Sequence, residues 1–207
     1  MSLPSQGPAR AALAETLLPE GAARLISAIL LVVAGTMLLA IAAKIKVPFF
    51  PVPMTLQTLA VLAIAATFGS RLAVITVLAY LAQGAMGLPV FTNTPPAVAG
   101  PAYLLGPTGG FLLGFVAMAY VVGKAADRGW GRSFPKMLGV MLATEVAMMA
   151  LGFAWLAWFL ATANGNGLGV AGAFSAGVAP FILGDLLKVL LAAAAVPAVW
   201  RLFDRAA

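Results

Sequence analysis

The chain alternates long apolar runs with short clusters of proline, glycine and charge. A helix needs about 20 apolar residues to cross a bilayer, so each sufficiently long run is a candidate span. The first covers Leu25 to Ala43. It exceeds the roughly 7 to 15 apolar residues of a signal peptide and further runs follow it, so a retained helix is expected despite the small residues Ala40, Ile41 and Ala42 around a possible cleavage point. Pro48, Pro51 and Pro53, with Lys44 and Lys46 before them, predict an extended connection, because proline lacks an amide donor and the residue before it avoids the helix. A second span from Met54 to Phe68 is turned by Gly69, Ser70 and Arg71 into a third, Leu72 to Met86. The fourth covers Thr108 to Ala125, the fifth Met137 to Ala161 and the sixth Val178 to Val199, with a turn at Asn164 to Gly167. The expectation is an all-α integral membrane protein of six transmembrane helices: residues 1–21 form a cytoplasmic tail and residues 22–207 one membrane domain.

Between the third and fourth spans, Gly87 to Pro107 holds five prolines, three glycines and no charge in 21 residues. That is too broken for a straight helix and too apolar for an ordinary solvated loop. Irregular backbone at membrane depth must be covered by protein or line a cavity, so this segment is expected to be an irregular lid over a pocket.

Composition agrees: 63% of residues are hydrophobic and 9% charged, with mean hydropathy +1.06, against about 25% charged in soluble domains. Cysteine and histidine are absent, which removes disulfides, thiolate nucleophiles, the commonest metal ligand and the usual general base. An enzyme is therefore not expected, nor a cofactor, and no G-x-x-x-x-G-K-[ST] motif is present. The net charge of +6 comes from residues in connections beside apolar spans, which argues against nucleic acid. With the amino terminus inside, Arg10, Arg24, Arg71, Lys124, Arg128, Arg132, Lys136, Arg201 and Arg205 are cytoplasmic and only Lys44 and Lys46 external. The positive-inside rule then puts both termini in the cytoplasm and the lid outside.

Three charged residues fall well inside spans, away from their ends. Asp185 and Lys188 interrupt an otherwise uncharged stretch from Val170 to Trp200, three residues apart and so on one helix face. Each costs roughly 2.5 to 3.5 kcal/mol to insert, more than the about 0.2 to 0.5 kcal/mol of an isolated helix pair. Mutual pairing is one reading; a guest offering an anionic group and hydrogen-bond donors would use both better. Counted from Val178 they lie roughly 10 to 15 Å into the span. Glu145, in the fifth span, is read as a carboxyl bonded to another helix, with no second carboxylate identifiable beside it. Gln57, at the start of the second span, offers donors and acceptors for a cap, a neighbouring helix or a ligand.

Four ordered motifs, PVPMTLQT at Pro51 to Thr58, GLPVF at Gly87 to Phe91, GPTGGFLLGF at Gly106 to Phe115 and GDLLK at Gly184 to Lys188, resemble the BioY family. These are biotin-binding S components of energy-coupling factor (ECF) transporters. The resemblance implies biotin capture near the outer face of the cytoplasmic membrane. Transport would follow in complex with a transmembrane coupling subunit and two cytoplasmic ABC ATPases. It also implies biotin contacts from Asp185 and Lys188, with Lys188 donating to the ureido oxygen or to the carboxylate. Asn93 is the nearest match to a contributing asparagine in the third-to-fourth connection, and Gln57 and Phe91 would complete the lining. The sequence departs from the family at Thr92 to Gly100, which is less glycine-rich, and at Phe111, where tyrosine is commoner. Docking in the family uses small residues on the first helix; here Thr36 and Ala40 have the spacing, with Gly35 and Ala43 nearby. The alternative reading is a proton-coupled secondary carrier using Glu145 or Asp185, against which no inverted repeat is found.

Overall fold

The computed structural model describes residues 12–14, 18–19, 21–97, 99–163 and 169–206. Apolar runs become helices because a lipid-facing backbone has only itself to bond with. In order these are α1 (Ala22–Lys44), α2 (Gln57–Ala85), the short α3 (Pro101–Leu104), α4 (Gly109–Asp127), a 3-10 turn (Trp130–Arg132), α5 (Phe134–Ala163), α6 (Gly169–Gly177) and α7 (Ile182–Ala206). Among the described residues five helices, α1, α2, α4, α5 and α7, are long and apolar enough to cross a membrane. The expected turn at Asn164 to Gly167 and most of the expected tail lie outside the described residues.

The second and third expected spans are the two arms of α2. Gly69 breaks the helix with φ 77° and ψ 172°, and the chain reverses there. Gln57 and Tyr80 would stand about 35 Å apart along one straight helix, yet Gln57 Nε2 donates to Tyr80 Oη at 2.9 Å. A Cβ at Gly69 would collide with the Asp127 carboxylate and the Ala12 methyl. Asp127, at the end of α4, accepts from Ser70 N–H at 3.3 Å and from Ser70 Oγ at 2.5 Å. It thereby caps the second arm from a neighbouring helix, satisfying an amide that the helix itself leaves bare.

α4 is the central element, with 67% of its span window buried against 22% for α1, whose Leu25, Ile26, Leu30 and Met37 face outward. Gly114 lets α5 approach closely, since a Cβ there would strike Met148. Two departures from expectation concern connections. The proline-rich link after α1 carries a minimal antiparallel pairing, Lys46 opposite Thr55 and Val47 opposite Met54, so the fold is not wholly α. The expected start of the sixth span at Val178 is a turn, closed by Phe181 N–H to Val178 O at 2.9 Å, with helix α6 before it. Pro180 has no amide to continue a helix from α6, so α7 begins at Ile182 and places Asp185 in its first turn.

Candidate functional site

At the end of the bundle where α2, α4 and α7 begin, side chains from α2, α4, α5, α7 and the α2–α4 connection enclose a chamber with about 530 Å³ of free space including its mouth. Its walls are mainly aromatic or sulfur-bearing: Phe91, Tyr103, Phe111, Phe115, Met148 and Phe181. Polar groups reach it from Gln57, Thr58 and Tyr80 on α2, Thr92 in the connection and Asp185 and Lys188 on α7.

Asp185 and Lys188 are 3% and 7% exposed, and Lys188 Nζ donates to Asp185 Oδ1 at 2.6 Å. The first turn of α7 suits a carboxylate, since its free amides and dipole favour negative charge. A lysine has three N–H donors, and one has a hydrogen-bond partner among the described residues. Depth differs from expectation: Asp185 lies only about 5 Å from the start of α7, three residues on from Ile182.

Gln57 is held by its bond to Tyr80, whose hydroxyl donates to Val90 O at 3.1 Å. Phe91, 1% exposed, stacks on Tyr103 with centroids 4.6 Å apart and meets Tyr80 edge-on at 5.5 Å. Its ring lies directly against Gly84, where a Cβ would overlap it. Gly84→Ala should therefore push Phe91 into the chamber and lower ligand affinity about tenfold, as overpacking costs about 1 to 3 kcal/mol. A binding titration checks this. Tyr103 donates to Thr92 O at 2.7 Å, and burial raises its phenol above the ordinary range, with Thr108 as a hydrogen-bond partner opposing. It thus stays a donor throughout neutral and mildly alkaline pH.

Asn93 does not line the chamber itself but an adjoining cleft that shares Tyr103 and Thr108 with it. It has φ 60°, accepts from Lys46 Nζ and lines a surface cleft with Pro51 and Ala97. Lys44 donates to Phe91 O at 2.7 Å and to Thr94 O, so the lysines at the end of α1 and just after it hold the connection in place. Sequence reasoning passed over Tyr80, Tyr103 and Thr92. Thr92 Oγ1 is buried in the lining without a hydrogen-bond partner, a signal only coordinates carry. Glu145 differs from expectation in two respects: neither oxygen is hydrogen-bonded, and a second carboxylate, Asp185, stands within electrostatic reach. Thr36 is 2% exposed and accepts from Gln83 Nε2 at 3.2 Å, so this part of the small-residue face of α1 packs inward rather than offering itself for docking.

Residues 13–205 match the BioY family. The chain belongs to the BioY family. Among its BioY relatives, "Biotin transporter BioY" of Thermotoga maritima is 36% identical over 158 residues, covering 76% of this chain and 86% of that protein. "Probable biotin transporter BioY" of Pyrococcus horikoshii is 34% identical over 155 residues, covering 75% and 85%. "Biotin transporter BioY2" of Lactococcus lactis is 30% identical over 161 residues, covering 78% and 83%. A crystal structure of the S-component for biotin from an ECF-type ABC transporter superposes with TM-score 0.72 at 23% identity, covering 88% of this chain and 95% of that one. It shares the fold. These BioY relatives are named as transporters, not enzymes.

Proposed function

We propose that this protein captures biotin in the chamber and carries it across the cytoplasmic membrane as the S component of an ECF transporter. In that role it works with a transmembrane coupling subunit and two cytoplasmic ATPases. The observation that carries this reading is the buried Asp185–Lys188 pair facing an aromatic chamber with donor capacity to spare. A ureido ring presents N–H donors beside a carbonyl oxygen, which matches a carboxylate and an ammonium 2.6 Å apart. Asp185 accepts from the ring N–H groups, Lys188 donates to the ring oxygen, and Phe91, Tyr103 and Phe111 cover the apolar thiophane and chain. Gln57, through its bond to Tyr80, supports the opposite wall. The valerate carboxylate lies at the other end of the ligand and cannot reach the same pair.

Six crossings follow if each arm of α2 spans. Gly69 and Asp127 then share one face of the membrane, and Gln57, Phe91 and Phe181 the other. Arg24, Arg71, Lys124, Arg128, Arg132, Lys136 and Arg201 gather on the first face and Lys44 and Lys46 on the second, which supports cytoplasmic termini and an external chamber.

Calorimetric titration of the detergent-solubilised protein with biotin and with biotin methyl ester tests the reading. Saturable binding of both, with affinity changed less than tenfold by esterification, is expected. No saturable biotin binding would refute it, and loss of affinity in the ester alone would move Lys188 to the carboxylate.

A further inference from the structure

Thr92, in the α2–α4 connection, lines the chamber and is 6% exposed, and its Oγ1 is buried with no hydrogen-bond partner. Among the described residues it is the one side-chain atom of the chamber lining in that state. Neighbouring hydroxyls are committed. Thr55 Oγ1 donates to Gln57 Oε1 at 3.3 Å, Tyr80 to Val90 O and Tyr103 to Thr92 O, and two residues along the chain Thr94 donates to Phe91 O at 2.6 Å. The main chain around Thr92 is fastened too, its own carbonyl by Tyr103 and that of Phe91 by Lys44. A buried hydroxyl gives up its water partners and is costly unless something replaces them. Here the fold pins the residue and leaves the hydroxyl unmatched beside a chamber, so the missing partner is the chamber's occupant.

The surrounding charge identifies which part of the occupant that is. The connection from Gly87 to Pro107 has no charge of its own. The ammonium of Lys44 bonds the carbonyls of Phe91 and Thr94, and that of Lys46 bonds Asn93 Oδ1, all within two residues of Thr92. Asp185, the acid that lines the chamber, is engaged by Lys188 on α7. The potential at Thr92 therefore suits an anion. With the ureido ring on the α7 pair, the ligand's one anionic group is the carboxylate at the other end of its chain.

We propose that Thr92 is a specificity-determining residue whose hydroxyl donates to the ligand's carboxylate beside Lys44 and Lys46, so that α7 reads the ring and the connection reads the tail. This deepens the biotin reading and rests on it. A hydroxyl also donates to the carbonyl oxygen of an ester, so the bond selects for an acceptor at the chain end, and charge strengthens it.

Calorimetric titrations of the full-length wild type, Thr92→Val and Thr92→Ser test it. The ligands are biotin and an analogue whose chain ends in a methyl in place of the carboxyl, and thermal unfolding of each protein without ligand is measured alongside. Thr92→Val exchanges the hydroxyl for a methyl of nearly the same shape. It should bind biotin about tenfold more weakly, the effect of one hydrogen bond to a charged group, and bind the methyl-ended analogue as the wild type does. Thr92→Ser keeps the donor and should lose no more than about fourfold, the effect of one buried methylene. Without ligand, Thr92→Val should unfold at or above the wild-type temperature, because it removes an unmet polar group. A hydroxyl that merely held the connection together would make that variant unfold lower. The assignment is overturned if Thr92→Val binds biotin as the wild type does, if it loses as much affinity for the methyl-ended analogue as for biotin, or if it is destabilised without ligand. In each of those cases wild-type biotin binding leaves the biotin reading standing. A wild type with no saturable biotin binding refutes that reading and this inference with it.

Discussion

Lys188→Ala is expected to weaken biotin binding by a hundredfold or more. Truncating one partner of a buried, hydrogen-bonded charge pair costs about 2 to 5 kcal/mol, because the partner left behind loses its compensation as well as its bond. Here that partner is Asp185, 3% exposed, with a second buried carboxyl, Glu145, within electrostatic reach. Removing the ammonium therefore leaves two carboxyls and no cation. Loss of binding and loss of fold are separable. The double variant Asp185→Leu, Lys188→Met replaces the pair by apolar side chains of similar size, which often restores or improves stability. It should unfold at or above the wild-type temperature and still bind no biotin. Thermal unfolding in detergent and calorimetry on both variants measure this. Full affinity in Lys188→Ala would mean that the pair is only structural.

The second large effect is at Gly69. Its φ of 77° and ψ of 172° fall in a region that side chains other than glycine essentially do not adopt, at about 1 to 3 kcal/mol of strain. A methyl group would also displace the Asp127 carboxylate that caps the second arm of α2. Gly69→Ala should destabilise the protein by several kcal/mol, of order the strain plus about 1 kcal/mol for the lost cap. Asp127→Ala removes the cap alone and should cost about 1 kcal/mol. Both are read from thermal unfolding, and equal stability of Gly69→Ala and wild type would contradict the described turn. The affinity of whatever Gly69→Ala remains folded should match the wild type, because the turn and the chamber lie at opposite ends of the bundle.

Much of the fold is visible in single residues. Apolar runs end at Lys44, Gly69, Asp127 and Pro180 because a charge, a broken backbone conformation or a missing amide each stops a membrane helix. The reversal at Gly69 to Arg71 is legible for that reason, and so is the irregular segment from Gly87 to Pro107. Asp185 and Lys188 stand out as charges in hydrocarbon, on one face by their spacing alone. The short helix α6 is not legible, since a nine-residue stretch made mostly of Gly and Ala carries no length or charge signal. The partners of the pair are invisible in the same way. Glu145 sits 40 positions before Asp185 in the chain, and only the packing of α5 on α7 brings them together.

Asn93 shows what a short-range reading leaves open. Its place in the connection suits a chamber residue, but at φ 60° its amide oxygen is taken by the Lys46 ammonium, in a cleft beside the chamber. The sequence by itself determined what depends on transfer from water to lipid: which stretches become helices, where they end and which charges demand a reason. Tertiary structure alone decided which side chains converge, namely Tyr80 on Gln57, Tyr103 on Phe91 and Glu145 on Asp185. Insertion free energy is a sum over local segments, whereas a binding chamber is a set of contacts between helices distant in the chain.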